Sequence, residues 1–199
     1  MQIRKHLLGA LASFFIGVFG LLAAPSAHAA DGCKFLLCIA GPWKGIAECR
    51  PTVYEVFRDL AKGKPFPTCA MSGGGNAASN LWASEPTCPI MYREYNNESG
   101  SYSGCRYPGQ ISVRINGQPW STVYWDFGGN TSTQWTDAAL ASLNQPGAAP
   151  VDQTFQNDVG SWNAYRVSQC TGQGGTVVYN NYGAFESCNN PWWNNGGGG

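Results

Sequence analysis

Eight cysteines constrain this chain more than any other feature: Cys33, Cys38, Cys49, Cys69, Cys88, Cys105, Cys170 and Cys188. An even number in an exported chain reads as four disulfides. A metal site would want Cys-x2-Cys pairs, and none occurs, so no metal and no cofactor is expected. Eight cysteines allow about 105 connectivities, and spacing alone does not choose among them. A boundary at Gly73-Gly74-Gly75 divides them four and four. A boundary after Cys88 divides them five and three, which forces at least one bridge across it.

The oxidising setting is read from the N-terminus. Met1-Gln2-Ile3-Arg4-Lys5-His6 is a basic start, residues 7–22 carry no charge, and Ala23-Ala24-Pro25-Ser26-Ala27-His28-Ala29 ends in an Ala-x-Ala site. That is the three-part layout of a secretory signal cleaved after Ala29. The apolar run is short for a membrane span, so no stable membrane anchor is expected after cleavage. Removal takes Arg4 and Lys5 with it, and twelve basic side chains fall to ten against twelve acidic ones. The net charge of −2 gives no footprint for direct nucleic-acid binding. Both histidines, His6 and His28, also lie in the signal. Their loss excludes Ser-His-Asp and Cys-His catalysis and His-ligated metals.

About 170 residues then remain, enough for one or two small domains. Residues 33–40 read as a short buried helix ended by Gly41-Pro42. Thr52-Val53-Tyr54-Glu55 has capping-box form. Val53, Val56, Phe57 and Leu60 follow at helical spacing, and Gly63 suits the C-terminal cap. A third short helix is expected from about Asn76 to Ala83, with Leu81 and Trp82 inward. Beyond it the pattern changes. Ile111, Val113 and Ile115 alternate with polar residues, Asn116-Gly117 is a strong hairpin signal, and residues 120–127 return as a strand, with Pro119 expected to place it at an edge. Thr136-Asp137 starts a short helix through Leu143. Val151, Phe155, Val159 and Trp162 suggest another helix, weakened by Gly160. Residues 176–179 read as a strand turning at Asn180-Asn181. The fold class expected is α+β. A signal over 1–29 precedes a helical, disulfide-pinned module over 30–90, a loop-rich, hairpin-containing extension over 91–190 and a disordered Asn/Gly tail over 191–199.

Candidate chemistry is sparse. Asp126-Phe127-Gly128 matches a kinase triplet without the other kinase motifs, and is read as chance. Asp126 with Glu186 or Glu94 would be the carboxylates of a glycan hydrolase or lyase, yet no spacing selects a pair, and no catalytic residue is assigned. The aromatics Trp120, Tyr124, Trp125, Trp135, Trp162, Tyr179 and Tyr182 serve either as core or as a sugar- or protein-contact surface. Trp192 and Trp193, beyond the last cysteine, are the candidate interaction surface. Asn97-Glu98-Ser99 and Asn130-Thr131-Ser132 are formal glycosylation acceptors.

Cys33-x4-Cys38, Cys49-Arg50-Pro51, the helix bearing Tyr54 and Phe57, and Cys88-Pro89 together resemble the TrbM/KikA family of plasmid conjugal transfer proteins. The resemblance covers the first third of the exported chain. Cys69 and the glycine-rich stretch after it stand as an insertion, and the C-terminal half as an extension. Within this frame the expected pairs are Cys38 with Cys49 and Cys33 with Cys88. The resemblance implies a periplasmic accessory of conjugative transfer that binds other conjugation or type IV secretion proteins and is not an enzyme. The rivals are a peptidoglycan-modifying enzyme and a sugar- or surface-binding module.

Overall fold

The computed structural model describes residues 31–69, 75–180 and 184–190. The signal segment, Gly73 and Gly74 of the linker, Asn181, Tyr182 and the tail with Trp192 and Trp193 lie outside the described residues.

The first helix, α1 (Gly32–Ile39), is started by Asp31, whose carboxylate accepts from the backbone N–H groups of Cys33 and Lys34 at 3.1 Å each, taking up donors a helix start leaves bare. A tight turn through Trp43 leads into α2 (Cys49–Ala61). This helix begins three residues before the expected Thr52 cap. Pro51 lies in its first turn, where no N–H is required, so the helix reaches back to Cys49. The anticipated apolar face is the one buried: Val53, Val56, Phe57 and Leu60 are all at most 4 % exposed. Gly63, at a left-handed φ of 76°, follows the C-terminus.

The helix expected over 76–83 is instead a strand, β1 (Ala77–Trp82). It joins β4 (Gly109–Ile115), β5 (Gln118–Trp125) and β6 (Thr131–Trp135) in an antiparallel sheet of order β1-β4-β5-β6. The segment has no sustained helical apolar period, and pairing all six residues with β4 supplies backbone partners that outweigh local preference. Leu81 and Trp82, expected inside, are 54 % and 53 % exposed. Asn116 and Gly117 turn the β4–β5 hairpin at φ 51° and 76°, as a two-residue primed turn demands.

β5 is an interior strand, not an edge. Pro119 is accommodated because its end of β5 overhangs β6, whose pairing starts at Ser121, and because the β4–β5 register slips there. The slip leaves Trp120 without a partner on β4, and its indole N–H donates to the Ala40 carbonyl of the helical layer at 2.7 Å.

Alternation along the strands gives the sheet two covered faces. On one face Ile111, Val113, Val123 and Trp125 pack with Phe35, Ile39, Trp43 and the apolar side of α2. On the other, Tyr124 packs with Cys88, Tyr92, Tyr107 and Phe155. These come from a short turn (Ile90–Tyr92), the small ladder β2 (Arg93–Tyr95) with β3 (Tyr102–Cys105), and the start of α4 (Thr154–Gly172). Between β6 and α4, α3 (Asp137–Leu143) is capped by Thr136, as expected, and tucks Ala139 against Trp135 and Val151.

The fold is α+β, and all eight cysteines pair: Cys33–Cys69, Cys38–Cys49, Cys88–Cys105 and Cys170–Cys188. The expected Cys38–Cys49 bridge is present, and the expected Cys33–Cys88 bridge is not. The chain after α2 returns to the start of α1, so closely that a side chain on Gly32 would run into the Thr68 carbonyl. That return delivers Cys69 to Cys33, whereas Cys88 belongs to the core on the opposite sheet face. No bridge crosses the glycine linker, and Cys88–Cys105 crosses a boundary drawn after Cys88.

α4 buries only Phe155 and Cys170, one near each end. Gly160, midway, has open space where a Cβ would stand. The C-terminal end of α4 carries the hairpin β7 (Thr176–Tyr179) with β8 (Phe185–Asn189), tied by Cys170–Cys188. A two-stranded hairpin is marginal alone, and here the disulfide and Gly175 fix it. A Cβ on Gly175 would lie 2.5 Å from one bridge sulfur and 2.9 Å from the other.

Candidate binding surface

Of the aromatics singled out in the sequence, Tyr124, Trp125 and Trp135 are core, and Trp120 packs half-buried against it. Trp125 is fully buried, and Tyr124 and Trp135 nearly so. Tyr179 is exposed on β7, and Trp162 is half-buried on α4. The exposed aromatic group that stands out is Trp82 with Phe127, which the sequence reading did not join. Trp82 falls at the end of β1 and Phe127 on the β5–β6 turn, 45 positions apart. Only the β1–β4–β5 register brings them together.

Trp125 is the foundation. Its ring stacks on Phe57 at 5.3 Å, nearly parallel, and its indole N–H donates to Asn80 Oδ1 at 2.8 Å. It lies over Gly109, the residue opposite it on β4, where a side chain would enter the indole ring. Gly109 is also paired with Trp82 on the other side. Trp82 leans on Trp125 at 5.6 Å, and Phe127 meets both Trp82 at 6.0 Å and Trp125 at 6.2 Å. Beneath stands a fixed aromatic stack, and above it Trp82 and Phe127 remain 53 % and 62 % exposed.

Phe127 is held out by its own turn. The Asp126 backbone N–H donates to the Asn130 carbonyl, and Gly129 N–H to the Asp126 carbonyl, both at 3.0 Å. The Asp126 carboxylate accepts from the Asn130 backbone N–H and side-chain amide, each at 2.8 Å. Gly129, at φ 82°, lies against the half-exposed ring of Tyr54 from α2. Asp126 therefore works as a turn former, and the Asn130 amide nitrogen is occupied by the same turn. Asp126 stands in the β5–β6 turn, Glu94 on β2 and Glu186 on β8, on three separate ladders, and Asp126 is bonded to neither glutamate. The Asp-Phe-Gly triplet is this turn and carries no phosphate loop.

Elsewhere two polar clusters join elements. Lys44 donates to Asp152 Oδ2 at 2.9 Å and to the Thr131 carbonyl at 3.0 Å. Burial alone would raise the Asp152 pKa, but bonds from the Thr154 hydroxyl and backbone and from Lys44 outweigh it and hold the carboxyl below its ordinary value. Tyr92, buried on the far sheet face, bonds Ser132 Oγ at 2.7 Å and Asp158 Oδ2 at 2.6 Å. Burial first, then the Asp158 bond, push its phenol well above the ordinary tyrosine range.

Among the described residues no cluster of His, Cys, Asp and Glu is arranged to hold a metal ion, and no helix is long and apolar enough to cross a membrane. Four disulfides suit an oxidising compartment. Comparison with protein-family models, curated proteins and solved structures gives no match.

Proposed function

We propose that this protein is a periplasmic accessory of plasmid conjugative transfer that acts by binding a protein of the type IV secretion apparatus through the Trp82–Phe127 ledge. The observation that carries the binding mode is the ledge itself: two large aromatic side chains, more than half exposed, held side by side on a rigid stack. Aromatic anchors of this kind dominate protein interfaces because they desolvate much area at little entropic cost. The Asp126 carboxylate beside the ledge is spent on its turn. The conjugation setting rests on the resemblance of residues 33–89 to the TrbM/KikA pattern, and the compartment on the disulfides and the signal-like N-terminus.

The test uses a donor cell in which the gene is deleted and supplied back. Deletion is expected to lower plasmid transfer, and wild type to restore it. A Trp82→Ser, Phe127→Ser double variant is expected to accumulate normally yet restore transfer on the order of tenfold less well, the scale of losing one interface anchor. Full transfer without the gene would overturn the conjugation assignment. Full rescue by the double variant would overturn the role of the ledge.

A further inference from the structure

A cleft of about 250 Å³ opens on the far side of the molecule from the ledge, between α4 and the turn bearing Tyr92. Asp158 and Arg106 both line it, with Ser161, Trp162 and Tyr165. The Asp158 carboxylate is fixed from behind. Tyr92 has one O–H, and a carboxylate accepts it, so Ser132 donates to the Tyr92 oxygen and Tyr92 donates to Asp158. This chain starts at a fully buried serine on β6 and ends at a half-buried carboxylate. The other oxygen, Oδ1, accepts no bond from the described residues.

Arg106 is exposed, with its guanidinium 5.6 Å from the Tyr107 ring centre. It forms no ion pair with Asp158: their charged atoms are more than 4 Å apart although they share the cleft. An acceptor and a donor face one small space without closing on each other. Beside them Trp162 and Tyr165 stand 5.8 Å apart on the stretch of α4 where no residue is buried. The cleft thus offers two aromatic rings, one fixed acceptor and the Arg106 fork of donors, with the Arg166 guanidinium 5.6 Å from the Trp162 ring centre beside it. Its volume is below the roughly 300–1,000 Å³ typical of pockets for larger ligands, which suits one ring.

We propose that this cleft binds a single N-acetylhexosamine unit of an envelope glycan. The apolar C–H face of the sugar lies on the aromatic pair, Asp158 accepts from a hydroxyl or the acetamido N–H, and Arg106 donates to the acetyl carbonyl. An acetamido sugar both donates and accepts within one ring, which the separated Asp158 and Arg106 require. The site is independent of the ledge and would hold the protein at the cell wall.

The test is an NMR titration of the intact, oxidised protein with the tetramer of N-acetylglucosamine. Saturable shifts of the Trp162 indole N–H are expected in the millimolar range, about 4 kcal/mol of binding. Arg106→Gln should abolish saturation of this signal, Trp162→Ala should abolish saturable shifts of the Ser161 and Tyr165 backbone amides that also line the cleft, and the ledge double variant should bind as wild type. Absence of saturation up to about 10 mM would overturn the proposal. So would shifts centred on Trp82, or glycine competing as well as the sugar, which would make the cleft a site for zwitterions. Loss of transfer on altering the ledge does not bear on this result, so the two readings fail separately.

Discussion

Replacing Gly109 with alanine adds one methyl group in the place the fold can least take it. The new Cβ would stand 2.5 Å from Trp125 Cζ2 and closer still to two other ring atoms, against about 3.5–4.0 Å for carbon atoms in contact. The indole must retreat by roughly 1 Å or more, but it is fully buried, stacked on Phe57 and bonded to Asn80. The backbone cannot yield instead, because Gly109 is paired with Trp82 on one side and Trp125 on the other. Overpacking of this kind costs about 1–3 kcal/mol, and loss of the indole hydrogen bond adds about 0.5–1.5 kcal/mol. Gly109→Ala should therefore destabilise by about 2–4 kcal/mol and lower Tm by roughly 5–15 °C. The assay is urea unfolding followed by tryptophan fluorescence, with near-UV circular dichroism reporting the displaced ring. Gly160→Ala is the control: with open space around it in mid-helix, the same methyl group should stabilise by about 0.5–1 kcal/mol. A Gly109→Ala protein with an unchanged urea midpoint and aromatic spectrum would refute the packing of Trp125 over Gly109.

Two further outcomes are expected. Converting Cys170 and Cys188 together to serine opens a loop of 18 residues and should cost about 3 kcal/mol. Limited proteolysis should then cut first within 173–190, and cleavage beginning in α1 or α2 instead would contradict the placement of that hairpin. Asp152 has a lowered pKa, so its stabilisation is complete above the unfolded carboxyl value near 3.9 and is lost as pH falls through the lower folded value. Asp152→Asn should be less stable at pH 7 and lose less stability on acidification through that window. Parallel pH profiles for the two proteins would rule out this role.

The parts of the fold that were legible are those whose signal is local. The spacing of Val53, Val56, Phe57 and Leu60 marked the face of α2, Asn116-Gly117 marked the hairpin, and Thr136 marked the start of α3. What was hidden depends on partners distant in the chain. Ala77–Trp82 is short and mixed in character, and becomes a strand only because β4 lies beside it. The strands β2, β3, β6 and β8 were not anticipated: three to five residues carry too little periodicity, and they lack the adjacent valines that marked the equally short β7. The even cysteine count pointed to full pairing, but the partner of Cys33 was set by the path of the chain after α2. The ledge was invisible for the same reason: neither Trp82 nor Phe127 differs in sequence from the aromatics that fill the core.

The order of the bridges has a consequence for how the chain acquires them. In a chain that emerges N-terminus first, an oxidant joining cysteines as they appear would link Cys33 with Cys38 and Cys49 with Cys69. Neither pair is native, whereas the next two pairs in line, Cys88–Cys105 and Cys170–Cys188, are. The first helix blocks the earliest error. Cys33 and Cys38 are five residues apart within α1, and at about 1.5 Å of rise per residue their backbones stand about 7.5 Å apart. That is beyond the roughly 7 Å a disulfide spans. Once α1 is in place, the cap at Asp31 that starts it therefore stands against this non-native pair.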